Sequence, residues 1–125
     1  MSESDVPIEI EFEGGIVITA VLDRVLAPQI VETVKDMLPF ETRGALVRDE
    51  MKIPVGISRG NQKPVREVKM GDVAYMPLGD SLCIYLKDMK TFSPVNVIGR
   101  VTSLDTLEQL RTVRRGSRVV IRLRT

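Results

Sequence analysis

Gly71-Asp72-Val73-Ala74-Tyr75-Met76-Pro77-Leu78-Gly79-Asp80-Ser81-Leu82-Cys83-Ile84-Tyr85 is the stretch that decides the architecture. Met70-Gly71-Asp72 is turn chemistry, and Val73 to Met76 reads as a short strand. Pro77-Leu78-Gly79-Asp80 closes it with a second turn. From Ser81 to Leu86 the residues alternate: Leu82, Ile84 and Leu86 fall on one face, Ser81, Cys83 and Tyr85 on the other. Period two is the mark of a strand with two different faces.

Working outward, Lys87 to Ser93 reads as a loop and Val95 to Val101 as a strand. Asn96 and Gly99 read as structural residues, at a turn or bulge near the two ends of that strand. Ser103 or Asp105 would cap a short helix, and Asp105 with Glu108 has capping-box spacing. Leu104, Leu107, Leu110 and Val113 make its dry side, and Gly116 stops it. Val119, Ile121 and Leu123 belong to a last strand with Arg118, Arg122 and Arg124 outside. Toward the N-terminus, Gly60 to Pro64 is a turn, and residues 44–55 read as one strand. In that strand Leu46, Met51, Ile53 and Val55 are apolar, with Arg48, Glu50 and Lys52 between them. Pro28 opens a helix whose stripe is Ile30, Val31, Val34, Met37 and Leu38, and Pro39 ends it. Ahead of it, Ile8, Ile10 and Phe12 alternate with Glu9, Glu11 and Glu13. Gly14-Gly15 then turns the chain into a return strand, Ile16 to Val21.

Many short strands and frequent turns predict a mainly β, α+β architecture. The expected form is one domain over residues 1–125: a closed antiparallel barrel of about eight strands capped by two short helices. Charge predicts one long-range contact. Residues 1–13 carry five acids and no base, while residues 111–124 carry six arginines and no acid. The first and last strands are therefore expected to be antiparallel neighbours that pair charges across the ladder. This reading is preferred to a nucleic-acid patch, because the neutralising acids are present and stacking aromatics are scarce.

The 125 residues are 43% hydrophobic and 28% charged with net charge +1, enough for a core and with no bulk attraction to polyanions or membranes. No stretch approaches the roughly 20 apolar residues of a membrane helix, and Met1 to Pro7 does not read as a signal peptide. The single cysteine, Cys83, fits a reducing cytoplasm. Without histidine there is no histidine general base and no Ser-His-Asp or Cys-His arrangement, and a structural zinc site cannot be assembled. No glycine-rich phosphate loop is present. No metal or cofactor is expected.

Gly71 to Tyr85, Ser93-Pro94-Val95-Asn96-Val97-Ile98-Gly99-Arg100-Val101 and the helix and strand that follow resemble the cyclophilin-like family of small prokaryotic proteins. The resemblance implies a ligand groove on the outer face of the barrel. Ser81 and Cys83 would face it, at positions where the isomerases have glutamine and phenylalanine. Met76 and Pro77 match the alanine-asparagine pair whose backbone holds substrate, Phe92 lies in the loop that helps form the proline pocket, and Val95 falls near the groove histidine. The catalytic arginine of the isomerases sits on the third strand in an F-H-R run, which is absent here, as is the Q-G-G-D that follows it. Arg48, Glu50 and Lys52 lie in the corresponding strand, with Arg48 the catalytic candidate. Twisting a prolyl amide faces a barrier of ~18–20 kcal/mol, and the residues that lower it in the family are mostly replaced.

Three functions follow: a binding module using the groove for a peptide or small molecule, a weak or atypical prolyl isomerase, and a structural protein with the groove face buried in a dimer. Among the methionines Met51, Met70, Met76 and Met89, Met76 is the one expected to be exposed in the groove. Cys83 reads as inert packing, having no histidine to lower its pKa.

Overall fold

A computed structural model describes residues 3–124. The chain runs β1 (Asp5–Phe12), β2 (Ile16–Asp23), α1 (Pro28–Met37), β3 (Phe40–Val47), β4 (Glu50–Pro54), β5 (Val65–Val68), β6 (Asp72–Met76), β7 (Ser81–Tyr85) and β8 (Met89–Val101). A 3₁₀ helix (Leu104–Thr112) and β9 (Ser117–Leu123) complete it. Eight strands form a ring in the order β2-β1-β9-β3-β4-β7-β6-β8, closed by a β2–β8 pairing, while β5 adds to β8 outside the ring. Every pairing is antiparallel.

The interior follows from alternation. Ile8, Ile10 and Phe12 of β1, Leu82 and Ile84 of β7, and Val119 and Ile121 of β9 all enter one buried cluster. Ile30, Val31 and Val34 of α1 join it, as do Leu107, Leu110 and Val113 at the 3₁₀ segment. Pro28 starts α1, but no local side chain caps it. The free N–H of Ile30 instead donates to Gln62 Oε1 at 3.1 Å, a cap supplied from a distant loop.

The charged strands meet as expected. Glu9 stands opposite Arg122 in the β1–β9 register. The Arg122 guanidinium reaches Glu9 at 3.0 Å and Glu11 at 2.9 Å. Arg118 differs: its side chain pairs with Glu41 of β3 at 2.9 Å, and its backbone N–H donates to Glu13.

Five other readings are corrected. Residues 44–55 are a hairpin, not one strand, because the chain reverses at Arg48 and Asp49 between Val47 and Glu50. Residues 89–93 are not loop but the start of β8, where Met89 and Lys90 pair with Val68 and Glu67 of β5 ahead of a shift in register. The second helix is present as a 3₁₀ segment, but Leu104, its first residue, is 50% exposed instead of joining the dry side. Its capping box does not form, since Glu108 pairs with Arg111 instead. Leu123 is half-exposed at the end of β9, where pairing with β1 stops.

Candidate functional site

Cross-strand partners share a face of a sheet, so the register fixes what lines the outer wall. Ala45 is paired with Lys52, Lys52 with Cys83, and Cys83 with Ala74. Alternation then puts Arg43, Ala45 and Val47 of β3, Glu50, Lys52 and Pro54 of β4, Ser81, Cys83 and Tyr85 of β7, and Ala74 and Met76 of β6 on this face.

The face divides into a covered part and an open part. Ala74, Met76, Cys83 and Tyr85 form a second apolar cluster with Val68 of β5 and Val95 of β8, against which Met89 and Val97 also pack. The arm formed by β5 and the first half of β8 thus covers the wall at β6 and β7. Met76 is consequently buried at 4% exposure rather than displayed, and Cys83 and Val95 are fully buried. Burial, then the nearby charge of Glu50, pushes the Cys83 thiol up to about 12, so it stays protonated and unreactive. The Tyr85 phenol is raised too, by burial first and then by Cys83 and Glu50, and its Oη has no hydrogen-bond partner among the described residues.

The open part lies over β3, β4 and the start of β7. β9 begins opposite Gly44, so Ala45–Val47 has no β9 neighbour. The resulting groove of about 460 Å³ is lined by Ala45, Val47, Lys52, Pro54 and Ser81, with Arg43, Arg115 and Gly116 at its margin. Gly44 forms part of the floor, where a Cβ would come within 3.1 Å of the Lys52 carbonyl and of Val119.

Of the sequence candidates, Lys52 and Ser81 border this groove and Glu50 lies beneath Lys52, 3.6 Å from its ammonium. Arg48 does not project from a strand; it occupies the hairpin turn with φ +59°. Pro77 sits half-buried in the β6–β7 turn, and Phe92 stands 89% exposed on β8. Two side chains escaped the sequence reading, Arg43 and Arg115. Starting the third strand at Phe40 would have disclosed Arg43, because Glu41, Arg43, Ala45 and Val47 alternate with Phe40, Thr42, Gly44 and Leu46.

One end of the ring is closed by residues 56–64. Tyr75 Oη donates to Asp80 Oδ1 at 2.6 Å, and the backbone N–H groups of Ile57 and Ser58 donate to the same carboxylate. Asn96 Oδ1 accepts from Gln62 and Lys63 N–H, and its amide donates to Asn61 Oδ1. Burial, followed by the Asp80 bond, raises the Tyr75 phenol to about 12.

A family model described as cyclophilin-like matches residues 6–122. The solution structure of the hypothetical protein AF2241 from Archaeoglobus fulgidus superposes with a TM-score of 0.80 at 26% identity, covering 98% of each chain. The structure of McbB in complex with tryptophan shares the fold, with a TM-score of 0.75 at 18% identity over 92% of this chain and 44% of that one. No curated protein matches. With 117 of its residues under the family model and a ring of eight antiparallel strands, this chain belongs to the cyclophilin-like family.

Proposed function

We propose that this chain is a ligand-binding module that uses the outer groove over β3, β4 and β7 for a peptide or small molecule, without efficient prolyl isomerisation. One observation carries the reading: the groove is the stretch of outer wall that the β5–β8 arm leaves open, with apolar Ala45, Val47 and Pro54 beside polar Lys52 and Ser81. An apolar surface with a few placed polar groups is what small-ligand sites have in common. The family's proline pocket has no counterpart here, since Cys83 and Val95 are buried and Phe92 points to solvent from β8. Arg43 favours a second reading, a weak isomerase, because it is an arginine on the outer side of the third strand.

The two are separated by ¹⁵N and exchange NMR with a mixed panel of X-Pro peptides and small metabolites. Shifts at Ala45, Val47, Lys52 and Ser81 without faster cis/trans exchange are expected. Faster exchange that disappears in Arg43→Ala would establish the isomerase instead. Shifts confined to other surfaces would remove the groove from consideration.

A further inference from the structure

We infer that the groove recognises a carboxylate attached to an apolar body, an assignment that rests on the groove being the binding site. Its distinguishing feature is charge. Four other recesses among the described residues each contain carboxylates: Glu11 and Glu13, Glu67 and Asp88, Glu32 and Asp36, or Asp5 and Asp23. The groove wall has three cations, Arg43, Lys52 and Arg115, and no acid. In a chain of net charge +1 this is a local excess, not a reflection of overall composition.

Two of the three cations lack a close ion pair among the described residues, although Glu41 acts on Arg43 at longer range. Neither Arg43 nor Arg115 has a carboxylate within ion-pair distance among the described residues, whereas Arg111, Arg118 and Arg122 all do. One nitrogen of Arg43 donates to the Gly116 carbonyl at 2.8 Å, which fixes the guanidinium at the groove margin and leaves its other N–H groups for a ligand. Lys52 is partly compensated by Glu50 from below. A guanidinium fork matches either a carboxylate or a phosphate. Phosphate sites rely on free N–H groups at a helix N-terminus or a turn. In the turn beside the groove, Gly116 N–H is already donated to Gly44 and Ser117 N–H to Arg114, which favours the carboxylate. Ala45, Val47 and Pro54 supply the surface for an apolar body, with Val47 47% exposed.

The test compares N-acetyl-leucine with N-acetyl-leucinamide, which differ in the carboxylate, by ¹⁵N titration. A tripeptide ending in leucine, with free or amidated C-terminus, distinguishes a peptide end from a small acid. The acids are expected to move the amides of Ala45, Val47, Ser81 and Gly116 and to bind at least about tenfold more tightly than the amides. Arg43→Gln and Arg115→Gln should each lose about tenfold. Glu50→Gln, which releases Lys52, should tighten binding, an effect that a damaged fold would not mimic. Acid and amide bound equally within the groove would overturn the carboxylate assignment and leave the groove standing. Phenyl phosphate bound more tightly than the acids would also overturn it. If neither acid nor amide moves those four amides, the groove reading fails with it.

Discussion

Asp80 shows how one side chain can hold a loop. Its Oδ1 accepts from Tyr75 Oη at 2.6 Å and from Ile57 N–H at 3.0 Å, and its Oδ2 accepts from the N–H and hydroxyl of Ser58. Burial alone would raise its pKa; the bonds from Tyr75, Ser58 and Ile57 outweigh that and hold it below its ordinary 3.8. A carboxylate whose folded pKa is depressed contributes stability above its unfolded value and loses it as pH falls through the folded one. Asp80→Asn should therefore cost about 1–3 kcal/mol at pH 7, since hydrogen bonds to a charge become neutral ones. The penalty should shrink as pH falls below 3.8, where the unfolded chain takes up its proton first, and be lost through the lower folded value. Asparagine tolerates the φ of +50° at this position, so the backbone does not confound the comparison. Urea unfolding at pH 7 and pH 3 measures both; an equal penalty at the two pH values would mean that charge is not what holds the loop. In the sequence Asp80 is legible as a turn residue and nothing more. Its loop partners, Ser58 and Ile57, lie 22 and 23 positions upstream, and no local pattern connects them. Asn96, which latches the same loop, was hidden in the same way.

Among the elements, the β3–β4 hairpin explains both what could be read and what could not. Alternation at Glu50, Lys52 and Pro54 is real, and so is alternation at Arg43, Ala45 and Val47, but the two series differ in parity. A two-residue turn pairs Val47 with Glu50 and shifts the outer face from odd to even positions. The sequence carries no sign of it, because such turns favour glycine or asparagine and this one holds Arg48 and Asp49. Arg48 accepts a φ of +59° that glycine would adopt without strain. The left-handed conformation costs an ordinary residue roughly 1–2 kcal/mol, and glycine's greater freedom in the unfolded chain returns about 0.4–1 of that. Arg48→Gly should thus stabilise the protein by about 0.5 kcal/mol in urea unfolding and leave ligand affinity unchanged. A loss of binding would restore Arg48 to the groove. β5 escaped for a different reason. Val65, Arg66 and Glu67 are all exposed and only Val68 is buried, too little to mark a face, and its partner, the start of β8, read as loop.

At the level of the whole molecule, the ring was legible where charge supplied a long-range signal. Five acids at one end of the chain and six arginines at the other place β1 beside β9, and Arg122 between Glu9 and Glu11 bears this out. The opposite seam carries no such signal, yet the ring depends on it. β2 and β8 join through three residue pairs, Ala20 with Val101, Val21 with Arg100 and Leu22 with Gly99. Gly99 has an ordinary φ, so its role is space rather than conformation. A Cβ there would lie 2.2 Å from the Val21 carbonyl oxygen and 2.8 Å from the Leu22 Cα, and backbone on an adjacent strand cannot move aside as a flexible side chain can. Overpacking typically costs about 1–3 kcal/mol where side chains absorb it. Gly99→Ala, which must displace a strand, should cost more than about 3 kcal/mol by the same scale. Gly60→Ala, with no atom within 4 Å of the new methyl, is the matched control and should be nearly neutral. Hydrogen exchange locates the damage. Amides of Ala20 to Leu22 and of Gly99 to Val101 should lose protection first, while Ala45 to Val47 and Lys52 keep theirs. Uniform loss across both sides would mean that the seam and the groove wall open as one cooperative unit. The groove would then owe its shape to closure of the ring, not to the β3–β4 hairpin alone.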